Sequence, residues 1–153
     1  MDTELFAGYL ENSLLTKIPL VRAMGIRVAG YDGITLVLRA PLGRNVNDKG
    51  TAFGGSLYSL AVLAGWGLLS IKLREENLAG DVVIHESAVT YRLPVTGDLE
   101  ASCSIPGESK YSSFVEDFRV TGKGTITLEV RIMRGSRAAV KFTGNYVAYR
   151  TEK

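Results

Sequence analysis

The sequence predicts an α+β fold, with an antiparallel sheet wrapped around one long central helix, on three observations. From Gly54 to Ile71 the chain carries no charge, and Leu57, Leu60, Val62, Leu63, Trp66, Leu68, Leu69 and Ile71 fall on every side of a helical wheel. A helix apolar all round is buried all round. Two β-rich runs precede it and about four alternating runs follow it, which is the material of a sheet that can do the burying. At 153 residues the chain is expected to form a single domain, residues 1–153. The apolar run barely reaches membrane-spanning length, and Ser56, Tyr58, Ser59 and Ser70 are spread along it. Ala61, Ala64, Gly65 and Gly67 suit strands pressing closely on the helix, so the sheet is preferred to lipid.

In order along the chain, Leu5, Phe6, Tyr9, Leu10 and Leu14 stand at helical spacing over residues 3–15, with Thr3 as the expected cap. Lys17 to Met24, with Pro19, is expected to turn into the first strand. Two β-rich runs over residues 25–39 flank Tyr31-Asp32-Gly33, a hairpin signal because Asp-Gly suits the positive backbone angles of a tight turn. Residues 41–53 are rich in Asn, Asp and Gly and read as loop; the central helix follows from Gly54 to about Glu76. Strands are expected from Asp81 and from Asp98, separated by a turn at Pro94-Val95-Thr96-Gly97. Strict alternation in the first puts Val83, His85, Ser87, Val89 and Tyr91 on one face and Ile84, Glu86, Ala88, Thr90 and Arg92 on the other. Pro106 to Lys110 is expected as loop. Ser113 and Glu116 have capping-box spacing, leaving Phe114 to Val120 open between one or two helical turns and a strand. Two long alternating strands joined across Arg134-Gly135-Ser136 close the chain, and Gly144 suggests a bulge in the last.

Lys and Arg (18) nearly balance Asp and Glu (16), and the net charge of +2 reads as evenly spread with no basic run, which argues against a nucleic-acid partner. The single Cys103 cannot form an internal disulfide and reads as a small core residue. No signal peptide or second apolar span is visible, so the cytoplasm is the expected address and no membrane partner is expected. One Cys and one His make a structural zinc site unexpected, and no metal or other cofactor is implied.

The order of elements is that of the hot-dog fold. Asn47, Gly50, Gly54 and Gly55 match the N-x-x-G-x-x-H-G-G pattern of hot-dog acyl-CoA thioesterases, except that Phe53 stands in place of the His and Ala61 in place of an acidic residue eight positions later. The chain more closely resembles the YiiD carboxy-terminal-domain family through Pro41-Leu42, Asn45-Val46-Asn47, Thr51 to Tyr58, Gly65-Trp66-Gly67, Tyr91 with Pro94-Val95, and Phe142 to Val147. The resemblance implies a malonyl-ACP decarboxylase of the stand-alone kind, producing acetyl-ACP to prime fatty-acid synthesis. It further implies a homodimer with sites at the interface and dependence on the second Asn of the Asn-x-Asn loop, here Asn47. Asn45, Thr51, Phe53, Ser56 and Glu86 are expected to contact substrate.

Decarboxylation of a malonyl thioester needs no base to break the carbon–carbon bond; it needs donors aimed at the oxygen where enolate charge develops. The Gly54 and Gly55 N–H groups at the helix start are such donors. Asn47 would donate either to the thioester oxygen or to the departing carboxylate, and the residues do not choose between them. Phe53 and Trp66 read first as core. Thioester hydrolysis instead needs a base: Asp48 is the only carboxylate in the loop and reads as a solvated turn residue, while Glu86 serves if its face meets the helix. His85, adjacent on a strand, points away from Glu86 and reads as a structural or surface residue. A thioesterase using Glu86 or Asp48, acting on coenzyme A or carrier-protein thioesters, and a non-catalytic acyl-thioester binding module are the alternatives. Lys49, Arg44 and Arg92 are the cations considered for meeting an acidic carrier.

Overall fold

The first helix of the computed structural model, which describes residues 2–152, is α1 (Thr3–Lys17). Its cap is Asp2 rather than Thr3, because a carboxylate oxygen accepts the otherwise unpaired Leu5 N–H at 3.1 Å. Leu10 and Leu14 turn into the core. The segment expected to run straight into a strand first makes a helical turn, α2 (Pro19–Met24), where proline at the first position gives up no hydrogen bond and Gly25, at φ 71°, ends it.

β1 (Arg27–Tyr31) and β2 (Thr35–Ala40) form the expected hairpin, with the Asp32 carboxylate accepting from Ile34 N–H at 2.9 Å and Thr35 N–H at 2.7 Å. The central helix α3 runs Gly54–Glu75 and ends in Asn77, whose φ of 54° turns the chain back. β3 (Gly80–Tyr91) and β4 (Leu99–Ser104) follow. Residues 108–121 are one helix throughout, α4 (Glu108–Thr121). Its start lies at Gly107, not at Ser113, and Phe114, Val115 and Phe118 share its buried face, spaced one and four residues apart. β5 (Lys123–Arg134) and β6 (Arg137–Arg150) close the chain, joined through Gly135 at φ 61°.

The six strands pair antiparallel in the order β1-β2-β4-β5-β6-β3. This is the hot-dog layout. The concave face carries Leu36, Leu38, Ala101, Leu128, Phe142 and Tyr146, and α3 is sunk into it. By length and composition α3 could cross a bilayer, but Leu60, Ala64, Leu68 and Ile71 are in contact with sheet and are fully buried.

Gly65 marks the closest approach: a Cβ there would collide with the phenol of Tyr146, a buried ring whose hydroxyl donates to Val62 O at 2.8 Å. Neither the ring nor the helix has room to retreat. Gly65→Ala is expected to lower stability by about 1–3 kcal/mol, read from the urea midpoint.

The bulge is not at Gly144. Gly144 pairs regularly with Ser87 and Leu128, and its missing side chain makes room for the flanking rings of Phe142 and Tyr146. The extra residue is His85 on the partner strand, between Ile84 opposite Tyr146 and Glu86 opposite Asn145. This breaks the strict alternation expected for β3. Val82 and Ile84 pack inward before the bulge; after it Ser87 and Tyr91 reach α3 and Glu86 lies outside with Asn145.

A polar cluster closes the C-terminal end of α3. Tyr31 donates to Glu75, Lys72 Nζ donates to Glu75 at 2.7 Å and to Gly33 O at 3.0 Å, and Glu76 accepts from Tyr111 at 3.1 Å and Arg119 at 3.0 Å. Burial, followed by the neighbouring carboxylates, pushes the Tyr31 and Tyr111 phenols well above their ordinary range, and burial does the same to Tyr146. The folded state therefore holds these phenols neutral while the unfolded chain ionises them near pH 10. Their contribution to stability is intact below about pH 10 and is lost as pH rises toward the raised folded values. Burial also pushes the Cys103 thiol up to about 12, so urea midpoints measured from pH 8 to 11 are expected to begin falling at about pH 9 and to fall steeply above about pH 10.

Candidate active site

The loop before α3 is built by its own asparagines. Asn45 is buried: its Nδ2 donates to Met24 O at 2.9 Å and Pro41 O at 2.8 Å, while its main-chain oxygen accepts Phe53 N–H at 2.7 Å. Two carbonyl acceptors fix the orientation of that amide. Asn45 thus clamps both ends of the loop. Asn47 folds the tip: Oδ1 accepts from Lys49 N–H at 2.8 Å and Thr51 N–H at 3.1 Å, and Nδ2 donates to Thr51 Oγ1 at 2.8 Å and more weakly to Ala52 O at 3.4 Å. Gly50, at φ 80°, lets the tip turn. Ala52 N–H donates to Val95 O at 2.9 Å and ties the loop to the chain beyond β3.

These bonds deliver the chain to an open helix start. Among the described residues no side chain caps α3, and Leu57 N–H is the first to bond back, to Phe53 O at 3.0 Å. The amides of Gly54, Gly55 and Ser56 have no acceptor among the described residues. Such a start carries a partial positive charge and suits an anionic oxygen. Phe53 is not core: it is 54% exposed, and its ring lies against Gly55 where a Cβ would stand. Trp66 is half-buried and donates from Nε1 to Val82 O at 3.0 Å. On the other side, Tyr91 donates to Gly54 O at 3.1 Å, and Tyr58 shares a short bond with Ser87. Burial raises the Tyr91 phenol, keeping it a neutral donor. Its position in the alternating strand was readable, but the bond to Gly54 depends on the slip at His85 and was not.

The structure brings Asn47, Thr51, Phe53, Gly54, Gly55 and Ser56 together and leaves the candidate bases elsewhere. Asp48 is exposed and paired with Lys49 at 3.0 Å. Glu86 does not face the helix; it accepts from Asn145 Nδ2 at 3.3 Å on the outer surface. His85 lines an outer groove with Lys110 and Thr127. Among the described residues, no carboxylate or imidazole bonds the first turn of α3.

The fold is shared with solved structures over nearly the whole chain. A Chlorobaculum tepidum TLS protein of unknown function is 37% identical with a TM-score of 0.93, 97% of each chain being covered. The "putative thioesterase" from Shewanella oneidensis is 27% identical with a TM-score of 0.85, over 95% of this chain and 99% of that one. A Pseudomonas aeruginosa protein at 21% identity and a TM-score of 0.80, over 99% of this chain and 97% of that one, shares the fold. The family model described as "Putative thioesterase (yiiD_Cterm)" matches residues 7–150, and with the fold and loop just described the chain belongs to that hot-dog family.

Proposed function

We propose that the protein decarboxylates malonyl-ACP to acetyl-ACP, with the open start of α3 stabilising the enolate. The observation that supports this is three amides, unpaired among the described residues, at the start of a helix whose first turn none of their carboxylates or imidazoles bonds. In the step, the bond between the malonyl α-carbon and its carboxylate breaks and carbon dioxide leaves. The electron pair passes to the thioester oxygen as an enolate, held by the Gly54 and Gly55 N–H groups, and a proton from water completes the acetyl group. Asn47 assists with the Nδ2 hydrogen that Ala52 O holds only at 3.4 Å, toward the thioester oxygen or the departing carboxylate. Thr51 fixes that amide through its hydroxyl, and Phe53 and Ser56 flank the acyl group.

The second wall of the site is a second copy of the chain. β3 is an edge strand of 12 residues, paired only with β6, and Val83 and Tyr91 along it are exposed. An unpaired edge of that length suits antiparallel pairing with itself. Sedimentation is expected to show a dimer at micromolar concentration, and a stable monomer would remove the shared site.

The deciding experiment is incubation with malonyl-ACP, followed by mass measurement of the carrier. Acetyl-ACP supports decarboxylation. Release of the free carrier thiol would make the protein a hydrolase, in keeping with the family's description, and an unchanged carrier that still binds would make it a binding module.

A further inference from the structure

The even spread of charge expected for the whole chain fails in its last quarter. Between Glu129 and Glu152 the chain carries Arg131, Arg134, Arg137, Lys141 and Arg150 and no acidic residue. The β5–β6 hairpin sets Arg134 directly opposite Arg137 and Arg131 directly opposite Lys141. Lys141 also pairs with Thr90 of β3, and Arg92 follows two residues later. Arg92, Arg131, Arg137 and Lys141 line one hollow of about 360 Å³ on the outer face.

Like charges facing each other across strands destabilise a sheet. Here two such pairs sit on one hairpin, and none of these cations has an ion-pair partner among the described residues. Glu129, two positions from Arg131 along β5, is not in ion-pair contact with it. The same sheet pairs opposite charges elsewhere, Arg39 standing across from Glu100 and bonded to it. A hairpin with such repulsion on its own surface would be relieved by counter-charge supplied from outside the chain.

The hollow lies round the end of β3 from the helix start: Tyr91 bonds Gly54, Arg92 is next in the chain, and Val95 O holds Ala52 N–H. Of the three cations considered from the sequence, Lys49 is taken by Asp48 and Arg44 donates to Arg22 O at 3.2 Å, which leaves Arg92. We propose that this basic hollow docks the acidic face of the protein that carries the thioester. The inference rests on the reading of a carrier-bound substrate. Phosphate sites are built from convergent backbone amides and helix starts, whereas these are long, exposed side chains on a strand face. That arrangement fits spaced carboxylates on a protein and steers their approach.

The test uses the full chain with Arg131, Arg137 and Lys141 all changed to Gln, and reads three quantities. Because cross-strand repulsion is removed, the melting temperature should equal or exceed that of the parent. Affinity for fluorescently labelled holo-ACP should fall on the order of tenfold and lose most of its salt dependence. Turnover of malonyl-pantetheine, which has neither carrier nor nucleotide, should be unchanged. If the triple variant does not fold, Lys141→Gln alone is read the same way, with a smaller loss. Unchanged carrier affinity overturns the docking surface, as does a loss of coenzyme A affinity with carrier affinity intact. Salt-sensitive carrier binding without acetyl-ACP formation would sink the proposed reaction and leave the docking surface standing.

Discussion

Asn47→Asp is expected to abolish decarboxylation while leaving the loop folded. The substituted carboxylate keeps the oxygen that accepts Lys49 N–H and Thr51 N–H, and the Thr51 hydroxyl can reverse its bond to donate. What is lost is the hydrogen now directed at Ala52 O, the donor assigned to substrate. Removing one oriented donor typically lowers turnover by about 10²–10³, and an anion beside a malonyl carboxylate and a developing enolate lowers it further. A hydrolase would respond differently, since a carboxylate at this position is a candidate base for water. Malonyl-ACP turnover is compared with the parent after unfolding and sedimentation show an unchanged fold and assembly. A folded variant that forms acetyl-ACP at the parent rate defeats the mechanism.

The largest effect on stability is expected at the opposite end of α3. Lys72 and Glu75 have side chains only 12% and 4% exposed, and Glu75 also accepts from Tyr31. Glu75→Leu leaves the Lys72 ammonium with Gly33 O as its one protein acceptor. Breaking a buried pair in this way typically costs about 3–5 kcal/mol, a large part of a domain's total. The double change Lys72→Leu with Glu75→Leu removes the stranded charge and is expected to recover much of that loss. Urea unfolding of the two variants checks this, and a double variant no more stable than the single one would show that shape and not charge dominates.

The central helix was legible because an uncharged run apolar on all sides has one solution in a single small fold. The Asp32-Gly33 turn was legible because its chemistry is local. α4 was harder: its apolar residues Phe114, Val115 and Phe118 lie within five positions of an otherwise polar stretch, and their common target, the end of the sheet, is visible only in three dimensions. Phe53 is exposed because the residue before α3 closes the loop through its backbone and leaves the ring outside. The slip at His85 has no local signal, since strand composition does not say which partner carries an extra residue, and it decided which side of β3 met the helix. Of the site residues, the loop asparagines and glycines were marked by motif spacing, but that Asn45 spends both Nδ2 hydrogens on clamping the loop while Asn47 retains a weakly held one depended on packing against Met24 and Pro41.

The open start of α3 also makes the helix its own isotope recorder. In deuterated water, amides inside the wrapped helix can exchange only when the sheet opens, so their rates report global opening. The Gly54, Gly55 and Ser56 amides have no bond to break first and exchange from the native state. On the proposed reading, an acyl oxygen arriving at the helix start would slow the Gly54 and Gly55 amides and leave the deep amides to follow stability alone. Occupancy and opening free energy are thereby written at different positions of one helix, in one spectrum, without a label and without turnover.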